Sequence, residues 1–374
     1  MVRMSVLSVT HAALRGFSTD LNDIGDFFGA NSSRITSAVS LPSGASGLLA
    51  TLEPSFRDFR NQVSALGRLD HGRMIDFGTH LGGANDDFRN QDVTSGQIVS
   101  AAAHIPAGGE SGDSTGSIRY SGLLFPVLPE VATGTLTTRN AVTGAHGIVS
   151  VFDDRLNGSI GIKPAAHYLA PLADDWEHIQ AIGKRIRQLG VNHASTAGNL
   201  SGGSNWLTAQ WTGGSADSYT TAMTAFHTDI HQRGTELETI GKTLEKGGEC
   251  LERHVHNQAA GVTSGLMRPL DILGLSLPVG VWGQIVDRPM RGSIKAQITS
   301  AVDTVRSEAD ARSASITDLV DRMHKALAYE PGTAIAEPTG ALFDPPGKVT
   351  LDYDTIRYGF RNNVWWEQNL AAAA

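Results

Sequence analysis

Eight apolar residues set the first limit on how this chain can fold. Tyr219, Met223, Phe226, Ile230, Leu237, Leu244, Leu251 and Val255 are separated by four, three, four, seven, seven, seven and four positions. A helix that packs along its length on other helices keeps this period. Ser215 is a good N-cap, and Asp217 in the first turn complements the helix dipole. A helix of about 45 residues from Ser215 spans ~65 Å, since each residue adds ~1.5 Å. A compact globule has no use for that length; an elongated bundle does.

The same rhythm recurs along the chain. Leu14, Phe17, Leu21, Ile24, Phe28 and Ile35 predict a helix over about 5–38, which Leu41-Pro42-Ser43-Gly44 breaks. Leu52, Phe56, Phe59, Val63 and Leu66, then Phe77, Leu81, Ala84 and Phe88, mark a second helix over about 46–91. Pro54 is tolerated in its first turn, and the stripe weakens at Asp70 and Arg73. Leu169, Leu172, Trp176, Ile179, Ile186 and Leu189 predict a third helix that ends near Gly190, before a polar Gly/Ser-rich stretch at 195–204. Ile294, Ile298, Val302, Val305, Ile316, Leu319, Met323 and Leu327 predict one more over about 290–328.

The expected fold is therefore all-α: an elongated antiparallel four-helix bundle from two helical hairpins, with an irregular linker and an additional long helix. The expected divisions are a first hairpin at 1–92, a linker at 93–164 and a second hairpin at 165–260. An apolar connection and the additional helix fill 261–330, and a Pro/Gly- and aromatic-rich tail fills 331–374. Within the linker, Ala107 to Ser114 is loop chemistry, and Ile148-Val149-Ser150-Val151-Phe152 reads as a short β-like run that could form part of a hairpin. Tyr353, Tyr358, Phe360, Trp365 and Trp366 in the tail are expected to fold back onto a core.

Composition removes several function classes. The formal net charge of −8 argues against nucleic acid as a partner, because that surface needs a basic stripe. The single cysteine, Cys250, excludes an intramolecular disulfide and a thiolate metal site; it reads as an incidental thiol at a polar helix position. His227 and His231 share a helix face with Asp229 between them, but neither a Glu base nor a third ligand accompanies them, so a solvated polar face is expected and no metal. Asp174 and Asp175 suit the first turns of a helix. As neighbours they point ~100° apart and make no dyad. Gly108-Gly109 and Gly202-Gly203 lack the Lys-Ser/Thr of a phosphate loop. No catalytic residue and no cofactor is expected, and the chain reads as non-enzymatic. Met1 to Leu7 lacks the apolar core and cleavage site of a Sec signal. Ile272 to Val286 is uncharged but shorter than the ~20 residues of a membrane span; it would contact a membrane or, on the simpler reading, lie buried against the bundle.

A Trp where two antiparallel helices meet closes the open end of their apolar seam, and a Gly two residues on lets the chain reverse without a Cβ clash. Trp211-Thr212-Gly213 enters the long helix in this way. On these residues the chain resembles the WxG-motif substrates of the actinobacterial type VII (ESX) secretion system, in which a helix–Trp-x-Gly–helix hairpin pairs with a second hairpin. Ala216 and Tyr219 match the small residue and the aromatic that follow the Gly in that family. The family's secretion signals read Tyr-x-x-x-Asp/Glu after the partner hairpin's second helix. Phe88-x-x-x-Asp92 has the aromatic and the acid at that spacing and place, with Phe for Tyr, which removes a hydroxyl contact. The order is similar to single-chain substrates that fuse PE-like and PPE-like halves.

The resemblance covers about 5–92 and 165–260, half of the chain. It implies that Trp211, Gly213, Phe88, Asp92 and Tyr219 together form one secretion signal. It also implies a secreted or cell-surface protein, exported without a cleaved Sec signal and recognised by the type VII secretion ATPase and its export machinery. A small WxG partner or chaperone, and self-association into a homo-oligomer, are further expectations. The alternative is the amino-terminal delivery module of a polymorphic toxin, with a small C-terminal effector in the last 45 residues.

Overall fold

The computed structural model describes residues 8–103, 116–134, 137–349, 356–360 and 363–368. Its long helices are α1 (His11–Ser37), α2 (Glu53–Ala103), α3 (Thr137–Ile160), α4 (His178–Thr208), α5 (Gly214–Met267) and α7 (Gly292–Leu327), with the short α6 (Val279–Gly283) before the last. The class is all-helical. Two small antiparallel sheets accompany the helices. β1 (Ser8–Val9) pairs with β2 (Trp211–Thr212), and β3 (Pro269–Ile272), β4 (Leu275–Pro278), β5 (Ile356–Phe360) and β6 (Asn363–Gln368) pair in that order.

α1 and α2 form one hairpin, α4 and α5 the other, and α1 lies on α4. α2 meets α5 through a buried ion pair, Asp70 with Arg233 at 2.7 Å, and through Phe77 stacked on Phe226 at 5.6 Å. The interruption of the α2 stripe at Asp70 is thus an interhelical contact. Burial pushes the Asp70 carboxyl up, against the pull of Arg233. Asp70 Oδ2 and Arg233 Nε have no protein partner, so the pair is incompletely satisfied and serves register better than stability. α4 and α5 cross at glycines. A Cβ on Gly183 would lie 2.4 Å from the Glu245 nitrogen, and one on Gly190 would lie 2.9 Å from the Gly234 oxygen. Two backbones can approach this closely only without side chains between them.

α3 and α7 also pack on α5, so the core extends beyond four helices. This corrects the two ends of the irregular linker expected over 93–164, while 116–134 is irregular as expected. α2 runs on to Ala103, and 137–160 is helical. Val142, Ala145, Val149, Phe152 and Leu156 are buried at spacings of three, four, three and four, while Val151 is 69 % exposed. The apolar run at 148–152 therefore follows a helical period and is no strand.

The second hairpin differs as well. α4 starts at His178, after single turns at 165–172, and continues to Thr208 through the Gly/Ser-rich stretch. The small residues there permit dense packing: a Cβ on Gly203 would lie 2.1 Å from the Phe17 ring, and one on Gly202 would lie 2.5 Å from the Tyr120 hydroxyl. Gly213, not Ser215, is the N-cap residue of α5. Cys250 is fully buried, which corrects its polar assignment, and burial pushes its thiol up to about 11. Ile272 to Val286 forms β4 and α6 with their connections, and Ile272, Val279, Trp282 and Val286 are buried. Tyr358, Phe360, Trp365 and Trp366 stand on β5 and β6, which join β4. Residues 5–7, the expected loop at Ala107–Ser114 and Tyr353 lie outside the described residues.

Candidate functional site

The turn between α4 and α5 is a single extended step. The Leu207 carbonyl accepts from the Gln210 N–H at 2.8 Å, and Trp211 and Thr212 then run as β2 against β1, with Val9 opposite Trp211. The Thr10 N–H donates to the Gln210 carbonyl at 2.9 Å, so the start of the chain is tied across the turn. Gly213 has φ +115°, a conformation that L side chains rarely adopt, and its carbonyl accepts from the Asp217 N–H in the first turn of α5.

The turn delivers Trp211 into an aromatic ladder. Trp211 is 4 % exposed; its ring stands edge-on to Phe88 at 6.2 Å and beside Tyr219 at 5.7 Å. Tyr219 meets Phe77 at 5.9 Å, Phe77 stacks on Phe226, and the Arg73 guanidinium sits 4.4 Å over the Phe226 ring. Such ring pairs each contribute about 0.5–1.5 kcal/mol beyond area burial. The ladder joins rings of α2 to those of β2 and α5 and holds the two hairpins together at this end. Phe77, Leu81, Phe88 and Asp92 follow at spacings of four, seven and four, so one face of α2 carries the apolar contacts and then, one turn on, the acid.

Two polar atoms inside the ladder have no protein partner: the Trp211 indole N–H and the Tyr219 hydroxyl. Burial pushes the Tyr219 hydroxyl pKa up. A tyrosine at position 88 would bring a hydroxyl to this cluster, and Phe88 brings none. Leaving a buried donor unsatisfied costs about 1–3 kcal/mol.

The acid is held differently. Asp92, with its side chain 76 % exposed, faces His11 of α1: Nε2 lies 3.1 Å from Asp92 Oδ2, and Nδ1 lies 3.1 Å from Asn85 Oδ1. All five residues singled out in the sequence therefore gather at one end of the molecule. His11 and Asn85 complete the site and carry no local signal, because their partners lie 81 and 74 residues away in sequence. This end thus presents an exposed carboxylate beside a fixed aromatic seam.

A second concentration of ionisable groups sits near the other end of α4. Asp174 is buried and accepts from the Ser46 N–H, from Arg139 Nη2, both at 2.5 Å, and from the Asp175 N–H. Glu177 accepts from the Thr138 N–H at 2.7 Å and from its hydroxyl. The cluster pins the α1–α2 connection and the start of α3 to the chain entering α4. It corrects the expectation of first-turn acids, since α4 begins only at His178. The carboxylate that acts on Asp175 most strongly is that of Glu177, ahead of its neighbour Asp174. Burial and the Glu177 carboxylate push Asp175 up to about 6.

His227 is half-buried and His231 exposed; burial, then the neighbouring His231, holds the His227 imidazole below its usual range. Among the described residues, no group of three His, Cys, Asp or Glu side chains could hold a metal ion. Also among them, no helix is long and apolar enough to cross a membrane. No family model matches the chain, and no curated protein or solved structure matches it.

Proposed function

We propose that the chain is a non-enzymatic substrate of a type VII (ESX) secretion system. On this reading the end formed by Phe88, Asp92, Trp211, Gly213 and Tyr219 is its export signal. The observation that carries the reading is the meeting of Phe88 and Trp211 across two hairpins 123 positions apart in sequence, with Asp92 exposed one turn beyond. A recognition ATPase would read the Asp92 carboxylate and the adjoining aromatic edges as one surface. Trp211 and Gly213 act through shape: the ring closes the seam, and the glycine admits the turn. After export the chain would serve as a helical interaction or assembly protein outside the cell. The toxin-delivery alternative has less support, because the strands at 356–368 extend the sheet begun by β3 and β4.

The direct test expresses the tagged chain in an ESX-proficient actinobacterium and in the same strain lacking the secretion ATPase. The reading expects the protein in the culture filtrate or on the cell surface of the first strain and only inside the second. Equal release from both strains would overturn it.

A further inference from the structure

The β3–β4 hairpin ends in a two-residue turn, Leu273-Gly274, with φ of +54° and +83°. Both central residues of such a turn need positive φ, and Asn-Gly or Asp-Gly is the usual solution. Leu273 is the only residue other than glycine with positive φ among the described residues, and its side chain is 76 % exposed. The turn thus carries backbone strain to hold an apolar side chain in solvent. Neither feature helps the fold, and strain of this kind points to a use for the residue.

The hairpin fixes that side chain firmly. Leu270 and Ile272 pair with Leu277 and Leu275 across the strands, and these four pack into one apolar cluster with Trp282, whose indole N–H donates to the Leu270 carbonyl at 2.7 Å. The exposed cations Arg268, Arg288, Arg291 and Lys295 lie within two residues of members of that cluster, against only two exposed acids there, Asp271 and Asp287. Over 268–295, the segment that contains the exposed leucine, a chain of net charge −8 thus carries an excess of exposed positive charge.

We propose that this hairpin docks on the surface of an anionic lipid bilayer, with Leu273 entering the headgroup region and the arginines and Lys295 on the lipid phosphates. The charge excess selects the bilayer over an apolar protein pocket, since juxtamembrane cations gain from anionic headgroups. The contact is peripheral: Ile272, Val279, Trp282 and Val286, which an inserting segment would have to release, are buried in the fold. It is independent of the export reading, because it concerns the opposite end of α5 and is measured on the purified protein.

The test is flotation of the purified full chain with vesicles of phosphatidylcholine alone or with added phosphatidylglycerol. Binding to the anionic vesicles only is expected, weakening as salt is raised. Leu273→Asn builds the preferred turn sequence, so the variant should melt at a higher temperature while binding less. Arg288→Gln with Arg291→Gln should lower the apparent affinity by about fivefold per charge. Val191→Asn, which removes an exposed apolar residue on α4, should leave binding unchanged. Absence of wild-type flotation, equal flotation with neutral vesicles, or undiminished binding by Leu273→Asn would each overturn the proposal.

Discussion

The aromatic end of the molecule and the carboxylate cluster beside the start of α4 perform the same structural task by opposite means. Each ties separate hairpins and connections together. At the aromatic end, rings from α2, β2 and α5 interlock, and two polar atoms among them, Trp211 Nε1 and Tyr219 Oη, go without partners. At the other, Asp174 and Glu177 accept from backbone N–H groups, the one guanidinium, that of Arg139, pairs with Asp174, and Asp175 Oδ1 is left unpartnered. Apolar burial is indifferent to pH, whereas a surplus of buried negative charge is not. One end should therefore hold equally from acid to neutral conditions, and the other should loosen as its protons leave.

Trp211→Ala tests this contrast with the largest effect. Removing a buried indole costs about 3–5 kcal/mol. Thermal melts should show a loss of similar size at every pH, and a loss that varied with pH would break the contrast. Asp175→Asn is the complementary change. The folded pKa of Asp175 is raised from 3.8 to about 6, so its contribution to stability is fullest below the unfolded value and declines as pH rises through about 6. The variant should melt above the wild type at pH 7, and the two should converge as pH falls toward 4. Asp174 moves the other way. Its carboxyl is held below the usual range despite burial, by the Ser46 and Asp175 N–H groups and Arg139, so its contribution is lost only in stronger acid. Phe88→Tyr has the smallest expected effect, a gain of about 0.5–1.5 kcal/mol if its hydroxyl accepts from the Trp211 indole N–H. An unchanged or lower melting temperature would show that the indole is not within its reach.

The two regions also differ in how far the sequence announces them. Phe88, Asp92, Trp211, Gly213 and Tyr219 occur in two short runs whose spacings follow helix and turn geometry, and the heptad stripes set those runs at matching ends of two hairpins. The carboxylate cluster draws on Ser46, Thr138-Arg139 and 174–177, three pieces that no local period relates. α3 was hidden for a related reason: its stripe of Val142, Ala145, Val149, Phe152 and Leu156 is broken by Gly144, Gly147 and Gly158, and an apolar pentapeptide in its middle imitates a strand. The Gly/Ser-rich stretch of α4 misled in the opposite direction, because residues usual in loops are here the ones small enough to lie under Phe17 and Tyr120. Local rules see propensity; close approach between distant segments decides these cases.

The central claim is that the aromatic end acts as an export signal and not only as a structural closure. Asp92 separates the two roles, because its side chain is 76 % exposed and its ion pair with His11 is worth at most about 1 kcal/mol. The decisive measurement is the secreted fraction of Asp92→Ala in an ESX-proficient host, with the melting temperature of the purified variant measured alongside. The proposal predicts a protein that melts within a few degrees of the wild type and stays inside the cell. Secretion of this variant at the wild-type level would contradict it.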